Sequence, residues 1–484
     1  AISEGDSNPW GIEQAYQESK KVYEFLGAGD NLAVRSRYGL HSVCARDMED
    51  YIDFFDFVFG RTCHKPENKL FYDYSFEKWL GLSGEKVDPE SYSPKGIEDI
   101  LQSGNGAQIS SVSSWESKKE DVLEQITWAL GDEPPGVTNP GPGSLSRSGR
   151  GERSFGTFLT RPGETDKMGV MNISPYSGFG DQLFGYLYYP KKDERTPINN
   201  NLPVVIYLHE YDYSKGFSST RHQIGSLIES MVEQGYAVFA YDMIGFGNRI
   251  EEGTRFYHRY PHWSKMGKMV TDVSGAVDAL ENLDFVDGSR IYVAGYSLGA
   301  TVGLYAAATD QRIAGAISVA GFTPMRLNTL DRGTQGILAY SHLHGLIPRL
   351  GFFVGEETRI PYDFHEVLAC IAPRPLLVIA PVVDKDAHHE DVEKSVSEAA
   401  KIYKLYDVTD NIEIYSPDDI NRLSPEMRDK MYDWLGERLK PSPVDLVEPL
   451  TDAANSRWFF FSSASRPFGM VNLSPDMETN GAWN

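Results

Sequence analysis

Cysteine is scarce in this chain: three in 484 residues, Cys44, Cys63 and Cys370. Three scattered thiols exclude a disulfide framework, offer no paired spacing for a zinc site and allow at most one bridge, Cys44 to Cys63. The chain also lacks an apolar run of the roughly 20 residues that a membrane-spanning helix needs. It lacks the charged segment followed by an apolar one that marks an attached signal peptide. Both shortages point to a soluble chain. Basic charge is the third shortage. Forty-six Lys and Arg against 69 Asp and Glu leave a net charge of −23, which repels phosphate backbones and anionic lipid surfaces, so neither nucleic acid nor membrane is an expected partner.

What is present is globular, with 41% apolar and 12% aromatic residues. The length exceeds what one hydrophobic core usually organises, so one large domain with extra pieces, or two domains, is expected. The middle of the chain alternates short, apolar, β-branched runs with helical patterns, as a parallel βαβ sheet does. Strands are predicted at Val204 to His209, Ala237 to Tyr241, Arg290 to Ala294, Ala316 to Val319 and Leu376 to Ile379. Helical spacing covers Val270 to Leu280 and Glu393 to Tyr406, and Trp115 to Leu130 reads as an amphipathic helix. The predicted fold class is α/β, a mostly parallel, doubly wound sheet with helices on both faces. Asp132 to Ser154, rich in Gly, Pro, Ser and Arg, reads as a linker or long loop, and Pro197 to Leu202 as another loop.

Sliding the chain against itself by 380 residues sets Glu13 to Asp56 beside Glu393 to Gly436 without gaps. Lys21 falls on Lys401, Tyr23 on Tyr403, Asp30 on Asp410, Asn31 on Asn411 and Asp53 on Asp433, with Leu32 and Val34 on Ile412 and Ile414. Both copies read as helix, short strand, loop, helix; the plain alternative is chance similarity of two amphipathic segments.

The sharpest chemical signal is Gly295-Tyr296-Ser297-Leu298-Gly299, directly after the strand ending at Ala294 and opening the apolar run LGATVGLYAAA. It resembles the nucleophile elbow of α/β-hydrolases. Such a serine occupies a strained strand-to-helix turn, flanking glycines relieve the crowding, and the helix N-terminus stabilises developing negative charge. Ser297 is the candidate nucleophile. Upstream, the strand PVVIYL runs into His209, Glu210 and Tyr211, where this fold places its second oxyanion donor. The backbone N–H groups of Leu298 and Tyr211 are the candidate oxyanion donors, and His209 reads as a brace for its loop. The acid is expected after a late strand, and Asp384, just past Leu376 to Ala380, fits, with Asp386 as substitute and a solvated loop charge as the plain alternative.

The base breaks the pattern. The order in this fold is Ser, acid, His, with His in the loop after the last strand. That loop is YSPDDINRLSPE, the repeat sets Asn421 opposite His41, and no histidine follows His389. An amide neither gains nor loses a proton near neutral pH. Three routes stay open: His388 or His389 enters the site from the acid loop, the repeated segment lends His41, or the base is lost and Ser297 is a vestige. A His-His pair also fits one that only solvates its loop. After Tyr241, the segment DMIGFGNRIEEGTRFYHRYPHW gathers Arg249, Arg255, His258, Arg259, His262 and Trp263. Arg249, Arg255, His258 and Trp263 are the candidate substrate-binding residues, because arginine and aromatic groups suit carboxylates and sugar faces. A loop folded over the sheet edge, with arginine paired to Glu251 and Glu252, is the equal alternative.

Four segments, LHEYDYSKGF, AYDMIGFGNR, AGYSLGA and IAPRPLLVIAP, make the centre resemble α/β-hydrolases of the dienelactone hydrolase, acetyl xylan esterase and prolyl oligopeptidase-like groups. The stretch from Leu26 to Gly60 resembles the end of a glucuronoyl-esterase-type domain, in which the residue matching His41 is the base. GYSLGA departs from the glucuronoyl-esterase elbow, which has Cys and Arg around the Ser, and so argues against glucuronoyl substrates for the central domain. ASRPFGMVNLSPDMETNGAWN resembles the opening of family 92 glycosidases. These likenesses imply four parts: residues 1–65, the end of a preceding hydrolase domain; 66–154, a helical lead-in and linker; 155–440, a complete α/β-hydrolase domain; and 441–484, a tail that begins a further glycosidase domain. They also imply export, to an extracellular or periplasmic location. The expected activity is that of a serine esterase cleaving a carbohydrate-linked acetyl or uronoyl ester through an acyl-enzyme, with no metal and no organic cofactor. The rival is a sugar-binding or scaffolding domain that keeps only the hydrolase shape; a serine peptidase is allowed by the fold but has no legible specificity pocket.

Overall fold

The computed structural model describes residues 2–3, 8–38, 42–104, 106–134, 165, 167–176, 183–192, 197–198, 201–217, 227–334 and 336–439. Residues 1–429 form one unit and 430–484 a second, of which the described part, 430–439, is helical. The expected linker from 135 onward, His41 and the glycosidase-like tail lie outside the described residues.

The frame is one eight-stranded sheet: β1 (Met168–Tyr176), β2 (Leu183–Pro190), β3 (Leu202–Leu208), β4 (Ala237–Tyr241), β5 (Val286–Tyr296), β6 (Ile313–Val319), β7 (Leu376–Ile379) and β8 (Ile412–Tyr415). Its spatial order is β1-β2-β4-β3-β5-β6-β7-β8, parallel throughout except for β2, which runs antiparallel to β1 and β4. All five strands read from the sequence are present. The antiparallel pair at the amino-terminal edge was not predicted, because MGVMNISPY and LFGYLYYP carry Gly, Pro and Asn that blur the apolar run. Every residue of β3 and β4 is buried, which is why both read as unbroken apolar runs.

Five helices matter for the site. α1 (Pro9–Phe25) and α2 (Ala45–Val58) lie in the first copy of the repeat. α3 (Val112–Leu130) puts Trp115, Val122, Ile126 and Leu130 into the core that also holds β3, β4 and β5. α4 (Lys265–Glu281) precedes β5, and α5 (Leu298–Thr309) follows it. α5 is buried on all sides, so its pattern is apolar all round rather than striped.

The 380-residue repeat recurs in the backbone. α1 shifted by 380 lands on α6 (His389–Leu405), the 3-10 turn Gly29–Asn31 on Thr409–Asn411, and left-handed Gly27 on left-handed Asp407. The copies differ in cover. Ile402, Tyr403 and Val392 are buried, whereas their counterparts Val22, Tyr23 and Ile12 are exposed, as are Phe25 and Phe59. In the first copy the strand position is reduced to a parallel bridge, Arg35 to Lys69. That segment is held to the sheet domain elsewhere: the Glu13 carboxylate, fully buried, accepts from the Ser36 hydroxyl and from the Phe71 and Tyr72 amides, both at 2.8 Å. Phe71 and Tyr72 pack with Ile250, against which Trp10 and Tyr213 lie.

All three cysteines are free, Cys44 and Cys63 exposed and Cys370 buried, so the one allowed bridge is not made. Among the described residues no helix is long and apolar enough to cross a membrane.

Candidate active site

The end of β5 sets the geometry of the site. Ser297 has φ 53° and ψ −119°, in the sterically costly positive-φ region, and serves as the N-cap of α5. Its amide donates to the Val319 carbonyl at 2.9 Å and its carbonyl accepts from Thr301 N at 3.1 Å, which locks the turn between β6 and the helix. A Cβ on Gly295 would overlap the Gly299 backbone, and one on Gly299 would overlap the Leu208 carbonyl. Only glycine lets the first turn of α5 press onto the end of β3. That pressing brings Leu298, first in the helix, beside the loop that carries Tyr211.

Ser297, Leu298, Tyr211, Asp384 and Asn421 line one cavity of about 390 Å³ at the carboxyl ends of β3, β5, β6, β7 and β8. This is where ligands bind in open α/β sheets. Asp384 accepts from Asp386 N at 2.8 Å and from Asn421 Nδ2 at 3.2 Å. Burial raises its carboxyl above the ordinary value, against the pull of those hydrogen bonds. Asn421 in turn accepts from the Tyr296 hydroxyl at 3.0 Å. The loop after β8 therefore delivers an amide to Asp384, the candidate acid, at the position where the fold's chain order expects an imidazole. Asp386 also lines the cavity.

His388 and His389 are turned to other partners. His388 Nε2 donates to the Arg332 carbonyl at 2.7 Å, and His389 Nε2 lies 3.2 Å from Glu393 Oε1. His389 borders a small void with Asp384, while neither histidine lines the cavity of Ser297. The reason is local: the acid loop runs straight into α6, so His388 is its N-cap and His389 its first residue.

The arginine-rich loop after β4 is likewise not at this cavity. Arg249 is buried and bonded to Glu252 at 2.7 Å, Asp272 at 2.9 Å and the Asp242 carbonyl at 3.1 Å. Trp263 is buried among Phe256 and Tyr260, and exposed Arg255 and His258 border a separate hollow with Phe71 and Lys265. The reading of Arg249, Arg255, His258 and Trp263 as a substrate subsite at Ser297 is corrected: none of them lines its cavity, and Arg249 is held inside the fold by its ion pairs with Glu252 and Asp272.

His209 is the expected brace. Its Nδ1 donates to the Glu210 carbonyl at 2.7 Å, and its Nε2 accepts from Met243 N at 3.0 Å. Burial pushes the imidazole down to about 4, so it is neutral in that role.

Sequence reasoning missed His344, Trp10 and Tyr213. His344 is the one imidazole among the described residues that lines the cavity with Ser297; its Nδ1 is 2.7 Å from the Tyr213 hydroxyl, and its ring lies 4.6 Å from that of Tyr211. Burial pushes it down to about 4. It sits between nucleophile and acid in the chain, where order alone gives no reason to look. Trp10 and Asn8 reach the cavity from the opposite end of the sequence.

Asp99, His365 and Glu366 bring three ligand atoms within 4.8 Å of one another. Their charges are already matched: Arg326 Nη2 is 3.1 Å and Lys118 Nζ 3.5 Å from Glu366, and His365 Nε2 is 2.8 Å from Asp99. Two fixed cations stand where a metal would compete, so the group reads as a buried ion-pair network.

A family model described as glucuronyl esterase, fungi, matches residues 211–407. The match falls on the central domain, despite its different elbow. The chain is 24% identical to carbohydrate esterase MZ0003 from an unknown prokaryotic organism, over 61% of this chain and 75% of the relative. It is 25% identical to the putative hydrolase YtaP of Bacillus subtilis (strain 168), over 45% of this chain and 71% of the relative. Among solved structures, a CE15 glucuronoyl esterase from Teredinibacter turnerae T7901 superposes with a TM-score of 0.55 at 17% identity, covering 75% of this chain and 99% of that one. A glucuronoyl esterase from Solibacter usitatus gives 0.56 at 16%, covering 73% and 100%. The strand order, the strained serine turn and these likenesses give the central domain the α/β-hydrolase fold.

Proposed function

We propose that the chain is a serine esterase that cleaves a carbohydrate-linked carboxylic ester, of acetyl or uronoyl type. The observation that carries this reading is Ser297: a serine at positive φ, at the mouth of a helix, on a cavity it shares with Tyr211 and Asp384. Its Oγ attacks the ester carbonyl, the Leu298 and Tyr211 amides receive the oxyanion, the sugar or other alcohol leaves with the serine's proton, and water then cleaves the acyl-serine to the free acid and the serine hydroxyl. Each oxyanion donor is typically worth about 3 kcal/mol in the transition state. The family match and the esterase relatives support the same chemistry, and a location outside the cytoplasm belongs to the same proposal.

A second reading rests on Asn421. With an amide at the base position, bonded to Asp384, the domain binds its carbohydrate and turns over slowly or not at all. Hydrolysis of p-nitrophenyl acetate by the wild type, Ser297→Ala and a His388→Ala/His389→Ala double variant separates the two. A burst of p-nitrophenol that Ser297→Ala abolishes supports the esterase, and its loss in the double variant as well returns the base to the acid loop. Three traces equal to the blank leave only the binding reading.

A further inference from the structure

The cavity of Ser297 has one wall that comes from far upstream of the sheet. Asn8 and Trp10 line it from the start of α1, about 290 residues upstream of the nucleophile. Their placement is built. Asn8 caps α1 by accepting from Gly11 N at 2.9 Å. One turn on, Glu13 fixes the helix to the Phe71 and Tyr72 amides, and the Tyr72 hydroxyl reaches the Gly245 carbonyl at 3.3 Å. The Trp10 indole lies parallel to the Tyr213 ring, 5.3 Å between centroids and 3° between planes, and 5.0 Å from the His344 ring. Tyr213 stacks on Phe246 behind it and contacts Tyr211, the candidate oxyanion residue, beside it.

We infer that Trp10 is a substrate-positioning residue of the Ser297 site, its indole completing with Tyr211 and His344 an aromatic wall on which a sugar ring of the substrate rests. The inference rests on the esterase reading for its substrate class. Aromatic faces suit the flat, C–H-bearing faces of pyranoses, and an aromatic side chain gives large contact area at small entropic cost. Asn328, Lys385 and Asp386, polar groups on the same cavity, are those a sugar's hydroxyl or carboxylate needs. On this view the first copy of the repeat has a job in the site of the second.

The test compares wild type, Trp10→Ala, Trp10→Leu and Trp10→Phe on benzyl glucuronate and on p-nitrophenyl acetate, which has no sugar. The expected result is a fall of about tenfold in the ratio of kcat/KM for the glucuronate over that for the acetate in Trp10→Ala, carried by KM, and recovered for the most part by Trp10→Phe. Where Trp10→Ala fails to fold, Trp10→Leu, which keeps apolar volume without the ring face, reads the same ratio. A ratio within twofold of wild type in every variant overturns the inference. A wild type that cleaves the acetate alone gives no such ratio, and one that cleaves neither ester sinks the esterase reading instead. Calorimetric titration of wild type and Trp10→Ala with benzyl glucuronate then decides: a tenfold weaker affinity upholds Trp10, and equal affinity or no binding overturns it.

Discussion

Asn421 donates to Asp384 at 3.2 Å from the loop after the last strand, the junction at which an α/β-hydrolase ordinarily sets its imidazole against its acid. The amide reproduces the imidazole's hydrogen bond to the carboxylate without its ability to take the serine proton. Ser297, Leu298, Tyr211 and Asp384, the other candidates for the site, line the same cavity as Asn421.

Asn421→His is therefore expected to raise p-nitrophenyl acetate turnover by about a hundredfold or more, the usual contribution of a positioned general base. The gain appears as a rate that rises with pH through the range in which an imidazole loses its proton. Rates measured from pH 5 to 9 check this. A variant that folds and matches wild type at every pH would mean that residue 421 is not where the base belongs.

The glycines around the serine carry a stability prediction. Gly295→Ala and Gly299→Ala each push a methyl into backbone, the Gly299 chain or the Leu208 carbonyl, which cannot rotate away. Each is expected to cost about 3 kcal/mol or lose soluble protein, at the upper end of overpacking penalties. Gly436→Ala, with open space around its α-carbon, is the control and is expected to be neutral or slightly stabilising in its helix. Urea midpoints of the three variants decide.

Ser297, its helix and all five core strands were legible because each is written locally: an apolar run, a Gly-flanked turn, then a buried helix. The missing histidine was legible too, since an absence from a short loop needs no geometry to notice. The wall of the cavity was not. Trp10 and His344 reach it only through α1 docking on Phe71 and Tyr72 and through the Tyr213 hydroxyl, contacts between segments far apart in the chain. The arginine loop failed for the converse reason. Its charges looked available from composition, yet Arg249 is spent on Asp272 and Glu252 inside the fold.

Three buried groups set an acid response. His209 and His344 are held down to about 4 from an ordinary 6.5, so their neutral forms favour the fold fully above pH 6.5, and that contribution is lost as pH falls toward 4. Asp242, buried and raised to about 6 from 3.8, acts oppositely: its protonated form favours the fold at low pH, and this is lost as pH rises through about 6. Near pH 5 the unfolded chain thus binds two imidazole protons that the fold excludes and lacks the one that Asp242 keeps. From these groups stability rises by about 1.4 kcal/mol per pH unit there. Asp242→Asn removes the opposing proton, so its stability is expected to rise about twice as steeply between pH 4.5 and 5.5. Parallel pH–stability curves for variant and wild type in guanidinium melts would rule this out.

Glu13 links stability to the site. Its carboxylate, fully buried, accepts from the Phe71 and Tyr72 amides and from the Ser36 hydroxyl. Glu13→Ala strands two buried N–H groups and is expected to cost about 3 kcal/mol. Glu13→Gln keeps the shape but loses one acceptor oxygen and is expected to cost about half as much. Because Trp10 sits one turn before Glu13 on α1, the loosened helix should also blur the aromatic wall. Glu13→Ala that still folds is therefore expected to lower the benzyl glucuronate preference in the same direction as Trp10→Ala, and the double variant to add little to either, since both act through one element. Additive losses in the double variant would show that Glu13 stabilises the chain without placing Trp10, and would detach α1's docking from substrate choice.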